Sequence, residues 1–127
     1  MLNVMVCDDA IFMRKFLKKV IEQNGDKVIA EATNPDEAID YYMQHKPDLM
    51  LLDIIMPRGK KASDGIEALR AIISQDPKAK VVMCSSLGQE KLIEEAKKIG
   101  AVDFIAKPFK PADLRTIIER ASKELRP

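Results

Sequence analysis

Residues 2–9 read LNVMVCDD, a mostly apolar run, Leu2–Cys7, that ends in the acidic pair Asp8 and Asp9. Three further apolar runs also end in polar residues: Leu49–Leu52 in Asp53, Val81–Cys84 in Ser85 and Ser86, and Val102–Ala106 in Lys107 and Pro108. Short apolar runs bounded by polar residues are typical of buried strands. In an open parallel sheet, ligands bind beyond the carboxyl ends of the strands. We therefore expect these polar side chains to form one site.

Strand patterns alternate with helix patterns five times along the chain. The strands are predicted at Leu2–Cys7, Lys27–Glu31, Asp48–Asp53, Lys80–Cys84 and Val102–Ala106. Apolar residues between them recur at the i, i+3, i+4 spacing of a buried helix face: Met13, Phe16, Leu17, Val20 and Ile21; Ile66, Leu69 and Ile73; Leu92, Ala96 and Ile99; and Leu114, Ile117, Ile118, Ala121 and Leu125. This alternation predicts an α/β fold in which parallel strands are joined by right-handed crossovers.

The helix patterns begin and end at recognisable capping residues. Asn34 is predicted to cap a helix that has Pro35 at its first position and Glu37 three residues after the cap. Gly25 and Gly100 follow helix patterns, where a residue in the left-handed conformation is favoured. These residues support the helix boundaries that the apolar spacing indicates.

Length and charge limit the classes of protein to consider. The 127 residues fit one domain, so we expect a single domain over residues 1–127 and no effector domain. The net charge is +1, from 21 basic and 20 acidic residues, without the basic excess of a nucleic-acid surface. No apolar run approaches the ~20 residues that span a bilayer, and Met1–Cys7 is a poor signal peptide. We therefore expect a cytoplasmic protein that binds neither nucleic acid nor membrane.

The cysteines and the histidine do not form a metal-binding pattern. Cys7 and Cys84 each close a predicted strand, which favours buried, reduced thiols over a disulfide or a metal site. The only histidine, His45, lies late in the second helix pattern between Gln44 and Lys46 and is expected on the surface. The acidic residues therefore remain as the candidate metal ligands.

Asp8, Asp9 and Asp53 would repel one another if they met at one edge of the sheet. At an effective dielectric constant of ~20, two carboxylates ~4 Å apart repel by roughly 4 kcal/mol. A divalent cation removes this repulsion, and Mg²⁺ in particular favours carboxylates, waters and phosphate oxygens. Helix capping is the alternative role for one acid of the Asp8-Asp9 pair, and also for one of Ser85 and Ser86.

Lys107 stands between a predicted strand and Pro108. The residue before a proline is held extended, which would direct the Lys107 side chain back over the end of the sheet. A solvated loop lysine is the alternative interpretation. If the sheet does gather these residues, three carboxylates, a hydroxyl and an ammonium group suit a divalent cation and a phosphoryl group.

Five short motifs carry a family resemblance: Asp8-Asp9-Ala10 with Phe12-Met13-Arg14, Asp53-Ile54-Ile55-Met56-Pro57, Asp64-Gly65, Cys84-Ser85-Ser86 and Lys107-Pro108-Phe109. Through them, essentially the whole chain resembles a response-regulator receiver domain of the CheY type. Two further stretches, Ile11-Phe12-Met13-Arg14 and Ser86-Leu87-Gly88-Gln89, look most like those of chemotaxis receivers. The resemblance implies a flavodoxin-like (βα)₅ fold, a doubly wound parallel sheet with strand order 2-1-3-4-5.

The resemblance also implies a phosphoacceptor and a metal site. Asp53 would accept a phosphoryl group from a histidine kinase in a Mg²⁺-dependent transfer. Asp9 and Asp53 would bind Mg²⁺ directly, together with the backbone carbonyl of Ile55, and Asp8 would act mainly through water. A receiver of this kind catalyses only its own phosphorylation and dephosphorylation, so it is not expected to be an enzyme in the ordinary sense.

A switch and a set of partners follow from the same resemblance. Ser85 would hydrogen-bond to the phosphoryl oxygens, and Lys107 would pair with them. We expect Ser85 to move toward the phosphoryl group and Phe104 then to turn inward, which changes the face formed by the fourth helix, the fifth strand and the fifth helix. The expected partners of this monomer are a histidine kinase, a target such as a flagellar motor switch protein, and a phosphatase.

Two features distinguish this chain from the usual family pattern. Six residues, Arg58–Ser63, separate Pro57 from Asp64, where the family usually has two. A solvated insertion is the favoured interpretation, and a basic lip that attracts an acidic kinase domain or phosphodonor is the alternative. Ile55 and Leu87 are apolar at positions that influence, in this family, how water reaches the acyl phosphate. We therefore expect slow self-dephosphorylation.

Other classes of protein fit the residues less well. A flavodoxin would have to bind the FMN phosphate beside Asp8 and Asp9, which would repel it. A phosphatase with an aspartyl nucleophile typically needs an Asp-x-Asp motif and a cap domain. An interaction module would leave the acidic residues unexplained. Within the receiver family, a phosphorelay intermediate and a phosphate sink remain open alternatives to a chemotaxis regulator.

Overall fold

The computed structural model describes residues 1–123, in which five strands alternate with five helices. The strands are β1 (Asn3–Cys7), β2 (Lys27–Ala32), β3 (Leu49–Asp53), β4 (Val81–Ser85) and β5 (Asp103–Ala106). The helices are α1 (Ile11–Gln23), α2 (Pro35–His45), α3 (Gly65–Gln75), α4 (Glu90–Ile99) and α5 (Pro111–Ala121). All neighbouring strands are parallel, and their order is β2-β1-β3-β4-β5. The predicted flavodoxin-like fold is therefore confirmed.

Each strand begins and ends within one residue of its predicted bounds. Four residues predicted to begin strands lie just before them: Leu2, Asp48, Lys80 and Val102. The backbone of each nevertheless forms a hydrogen bond with a neighbouring strand or with the residue next to it. One example is the 2.8 Å hydrogen bond from the Asp48 N–H to the Asn3 carbonyl. Ala32 and Ser85 extend β2 and β4 by one residue. The predicted helical position Leu125 lies outside the described residues.

The sheet is covered on both faces, and its central strands are buried throughout. Every residue of β3 and β4 is buried, as the continuous apolar runs predicted. Alternate residues of β3 point to opposite faces: Leu52 packs in the core under α2, α3 and α4, and Leu51 packs in the core under α1 and α5. The two cores together hold the carboxyl ends of the central strands in fixed positions.

The predicted helix faces are mostly correct, with two local shifts. Leu17, Val20 and Ile21 of α1 are buried, as predicted. In α3, however, Ile72 is fully buried and the predicted Ile73 only partly. In α4 the predicted Ala96 is buried, together with Ile93, which the pattern missed. The two residues of each adjacent apolar pair lie about 100° apart on a helix, so the spacing alone does not decide which one faces the sheet.

Capping residues and thiols lie as predicted. The Asn34 side chain accepts a hydrogen bond of 2.9 Å from the Glu37 N–H, and Pro35 is the first residue of α2. Gly25 and Gly100 have positive φ angles of 88° and 138°. Both cysteines are buried and free, and His45 is exposed at the end of α2. Within residues 1–123, no helix is both long and apolar enough to cross a membrane.

Candidate functional site

Three aspartates meet at the carboxyl ends of β1 and β3. One carboxylate oxygen each from Asp8, Asp9 and Asp53 lies within 4.8 Å of the other two. Asp8 and Asp53 are buried, with residue exposures of 2% and 6%, whereas Asp9 is exposed. The parallel strands bring these residues together because β1 and β3 are neighbours and end at the same edge.

Lys107 reaches this acidic site from the end of β5. Its Nζ lies 2.8 Å from Asp8 Oδ2 and 3.0 Å from Asp53 Oδ2. The Lys107 side chain is only 21% exposed, so it is not a solvated loop lysine. One ammonium group therefore bridges the two buried carboxylates, and three carboxylates still outnumber the single cation.

Burial and charge act against each other at Asp53. Burial raises the pKa of Asp53 to about 6, although the hydrogen bond and charge of Lys107 oppose the rise. Burial also disfavours the charged form of Lys107, but its bonds to Asp8 and Asp53 outweigh burial and raise the pKa of Lys107. Three carboxylates share one ammonium group, so the site is short of positive charge. Its oxygen ligands are those that a divalent cation such as Mg²⁺ prefers.

The Asp8 side chain is held by its own loop and does not cap α1. Asp8 Oδ1 accepts a hydrogen bond of 2.8 Å from the Ala10 N–H. The Arg14 guanidinium donates a hydrogen bond of 2.8 Å to the Asp8 backbone carbonyl. The N-cap of α1 is Ala10, which has no side-chain cap, so neither acid of the pair has the capping role considered from the sequence.

The Asp64-Gly65 motif brings the start of α3 against the backbone of Asp53. The Gly65 N–H donates a hydrogen bond of 2.7 Å to the Ile54 carbonyl. A Cβ atom at Gly65 would lie 2.1 Å from the Asp53 carbonyl oxygen, which is too close for any other residue. Asp64 caps the helix by accepting a hydrogen bond of 2.9 Å from the Glu67 N–H. Glycine is therefore needed here because the two backbones are in contact.

Ser85 and Phe104 line one cavity of about 350 Å³ next to the acidic site, together with Lys107. Ser85 is buried at the end of β4, and Phe104 is 36% exposed on β5. Neither Ser85 nor Ser86 caps α4, because its N-cap is Gln89, whose side chain accepts a 2.6 Å hydrogen bond from the Ser86 N–H. The capping alternative for these serines is therefore wrong.

Two exposed apolar side chains flank the site. Ile55 follows β3 and is 54% exposed, and Leu87 follows β4 and is 95% exposed. Their hydrocarbon side chains have no group that can hydrogen-bond to water.

The insertion Arg58–Ser63 is anchored to α2 by one carboxylate. Three successive backbone N–H groups, those of Lys60, Lys61 and Ala62, donate to Asp36 at 2.7, 2.8 and 3.1 Å. A Cβ atom at Gly59 would lie 2.3 Å from Asp36 Oδ1, so the insertion touches the carboxylate directly. The role of Asp36 could not be predicted from the sequence. An acidic residue in the first turn of a helix is common, and no sequence pattern indicates that it binds a loop about 25 residues away.

We expect the Asp36→Ala substitution to release this insertion. Loss of the three hydrogen bonds should speed tryptic cleavage after Arg58, Lys60 or Lys61 by roughly tenfold, because local opening controls proteolysis. Burial tends to raise the pKa of Asp36, but the three backbone N–H groups outweigh burial and lower it below 3.8. The anchoring should therefore persist above that pH and weaken as the pH falls below it.

Asp40→Ala is the matched control, because it removes only the exposed 2.7 Å ion pair between Lys61 and Asp40. It should change the cleavage rate by less than about twofold, as exposed ion pairs contribute little. Equal cleavage rates in the two variants would show that Asp36 does not hold the insertion.

Comparisons with known proteins agree with this geometry. The sequence profile of the response regulator receiver domain matches residues 4–119. The chemotaxis protein CheY of Listeria monocytogenes is 44% identical over 123 residues, which cover 97% of this chain and 100% of that protein. CheY of Thermotoga maritima is 43% identical over 121 residues, covering 95% of this chain and 98% of that protein.

A solved structure shows the same likeness in three dimensions. The structure of the CheX–CheY–BeF₃–Mg²⁺ complex from Borrelia burgdorferi contains a chain that superposes with a TM-score of 0.84. That chain is 33% identical in sequence, and the match covers 98% of this chain and 90% of that one.

Proposed function

The chain belongs to the response regulator receiver domain family, and from this membership we propose that its reaction is phosphoryl transfer to Asp53. Receiver domains are signalling switches of two-component systems, not classical enzymes, and their partners are histidine kinases. The observation that carries the assignment to Asp53 is its position: a buried carboxylate, 3.0 Å from the Lys107 ammonium, in a cluster with Asp8 and Asp9.

The aspartate cluster is typical of the magnesium site of receiver domains. We propose that Asp9 and Asp53 bind Mg²⁺ directly with the backbone carbonyl of Ile55, and that Asp8 acts mainly through water. When bound, the cation neutralises charge on the phosphoryl oxygens. The three carboxylates fit this cation because they offer only oxygen ligands and lack sufficient positive charge of their own.

The protein's own residues position the acceptor and balance charge. An oxygen of the Asp53 carboxylate attacks phosphorus and forms a P–O bond, as the P–N bond to the donor imidazole breaks and its electron pair returns to the imidazole. Lys107, already bonded to Asp53, moves its contact to the phosphoryl oxygens and offsets their charge. The Ser85 hydroxyl donates a hydrogen bond to the same oxygens.

Phosphorylation is then transmitted through the cavity that Ser85 and Phe104 share. Ser85 moves toward the phosphoryl group, and Phe104 turns inward into the space that opens. The surface of α4, β5 and α5 changes shape as a result. Phe104 has no hydroxyl group, so its contribution is packing and not a hydrogen bond.

The similarity to CheY proteins supports a chemotaxis role. In that role the chain would act in the cytoplasm as a monomer of one domain. It would receive the phosphoryl group from a histidine kinase and regulate a flagellar motor switch protein, and a phosphatase would end the signal.

Incubation with acetyl phosphate tests the proposed reaction directly. With Mg²⁺ present, intact-mass spectrometry should show the addition of one phosphoryl group, and peptide mapping should place it on Asp53. Without Mg²⁺ the addition should be much slower. A stable adduct on another residue, or none under any condition, would overturn the proposal.

We expect slow self-dephosphorylation, which the Ile55→Asn substitution should accelerate. An amide at this position can orient water toward the acyl phosphate, which an isoleucine cannot. The half-life should fall by about three- to tenfold. This effect is smaller than the ~10²–10⁴-fold rate enhancement that a well-placed general acid or base contributes. Loss of phosphoryl label after removal of the donor measures this half-life.

Ile11→Asn serves as the control for that experiment. Ile11 is 52% exposed, nearly the same as Ile55, but it belongs to the first turn of α1. Its substitution should leave the half-life unchanged. If both variants lose label at the wild-type rate, Ile55 does not govern access of water.

A further inference from the structure

Phe104 lies between two cavities on the surface of β5. One, of about 350 Å³, extends to Ser85 and Lys107, and the other, of about 340 Å³, runs beside Ile117 of α5. The first has room for on the order of ten water molecules at ~30 Å³ each. The ring therefore has space to change its position on either side.

The backbone of Phe104 is fixed even though its ring has this space. The Phe104 N–H donates a hydrogen bond of 2.8 Å to Asp103 Oδ1, and Asp103 Oδ2 accepts one of 2.8 Å from Arg120 of α5. Phe104 is also paired with Met83 in the parallel ladder of β4 and β5. A change at this position is consequently a rotation of the side chain and not a movement of the strand.

Lys97 holds the ring from α4. Its Nζ lies 4.8 Å from the centroid of the Phe104 ring, within the range of a cation–π interaction. Glu90 and Glu94 line the same cavity, yet Lys97 forms no ion pair with any carboxylate in the part of the chain that the structure describes. The contact that the structure shows for the Lys97 ammonium group is therefore the one with the Phe104 ring.

We infer that Lys97 is a positioning residue for Phe104: its ammonium group stabilises the outward ring and opposes the inward turn. This inference rests on the proposed function, in which phosphorylation of Asp53 drives that turn. In the outward arrangement that the structure shows, the ammonium group lies over the ring face. A ring that turned inward would move away from it. Removing the positive charge should therefore shift the unphosphorylated protein toward the phosphorylated arrangement.

Three variants separate this effect from a general change of charge. Lys97→Met removes the cation but keeps a long apolar side chain. Lys97→Arg keeps a cation that also stacks on aromatic rings. Lys98→Met removes the same charge from the next residue, which is also exposed. All three changes are at exposed positions in the last turn of α4, so the proteins are expected to fold.

The NMR shifts of the Phe104 ring report its position directly. Unphosphorylated wild type and the form loaded with beryllofluoride and Mg²⁺ supply the two end points. Lys97→Met should raise the ratio of inward to outward ring by about two- to fivefold in the absence of beryllofluoride, which is the strength of an exposed cation–π contact. Lys97→Arg and Lys98→Met should match the wild type.

The possible results separate this inference from the proposed function. Equal shifts in Lys97→Met and Lys98→Met would overturn the role of Lys97, and so would a shift in Lys97→Arg as large as that in Lys97→Met. If beryllofluoride moved no signal near Asp53 in the wild type, the proposed function itself would fail. In that case the ring-current shift of the Lys97 side chain would still report whether the contact with Phe104 exists.

Discussion

The Asp53→Asn variant should accept no phosphoryl group from acetyl phosphate and should be more stable than the wild type without Mg²⁺. Phosphorylation is lost because the neutral amide of asparagine cannot replace the carboxylate oxygen that attacks phosphorus. The gain in stability follows because the pKa of Asp53 is raised to about 6 from 3.8, so the ionised form at neutral pH weakens the folded state.

The pH dependence of stability has a definite sign. The folded state binds the Asp53 proton more tightly than the unfolded state does, so wild-type stability falls as the pH rises from 3.8 to about 6. Asparagine has no such ionisation, so the variant should exceed the wild type by about 1–3 kcal/mol at pH 7. The difference should vanish well below pH 3.8, where the Asp53 carboxyl is protonated in both the folded and the unfolded state.

Urea denaturation at several pH values measures this difference. Mg²⁺ should stabilise the wild type more than the variant, because binding to the folded state adds to its stability and asparagine removes one ligand. Asp64→Asn is a suitable control, since Asp64 caps α3 outside the cluster and asparagine is also a good cap. A variant less stable than the wild type at pH 7 without Mg²⁺ would contradict the raised pKa.

The Lys107→Ala substitution should have the opposite effect on stability. It leaves the carboxylates of Asp8 and Asp53, whose side chains are 3% and 8% exposed, without their shared cation. Removing one partner of a buried ion pair costs about 3–5 kcal/mol, and because Lys107 is partly exposed we expect about 2–4 kcal/mol. Phosphorylation should also slow by roughly 10²–10³, the usual loss for one charge-stabilising group.

Mg²⁺ distinguishes the electrostatic cause from a packing defect. If uncompensated carboxylates destabilise the Lys107→Ala protein, saturating Mg²⁺ should restore more stability to it than to the wild type. Lys15→Ala, on the exposed surface of α1, should change the free energy of unfolding by less than about 0.5 kcal/mol. Equal stabilities of these two lysine variants would mean that the Lys107 ion pairs contribute nothing.

The gathering of Asp8, Asp53 and Lys107 could be predicted without a structure. The strands could be located from their apolar runs, and an α/β alternation makes them parallel. Parallel strands present their carboxyl ends at one edge, so residues that follow different strands must lie near each other. In the structure, the Lys107 Nζ lies 2.8 Å from Asp8 and 3.0 Å from Asp53, in agreement with that reasoning.

The contacts of Asp36 and Lys97 could not be predicted in the same way. Asp36 binds the backbone of the insertion, and backbone N–H groups are the same at every residue except proline. Lys97 meets Phe104 only because of how α4 is rotated on the sheet, a rotation that also buries Ile93 more fully than Leu92. Helix rotation depends on the packing of several side chains at once, and apolar spacing limits it only to within one residue.

The sequence by itself determined the order of the elements, the edge of the sheet where the acidic residues meet and the family of the chain. These depend on short-range periodicity and on the fixed geometry of parallel strands. Only the tertiary structure decided that Gly65 touches the Asp53 backbone, that Asp36 holds the insertion and that Lys97 covers Phe104. Those contacts join residues far apart in the chain, and their distances follow from close packing of the whole fold, which no local pattern records.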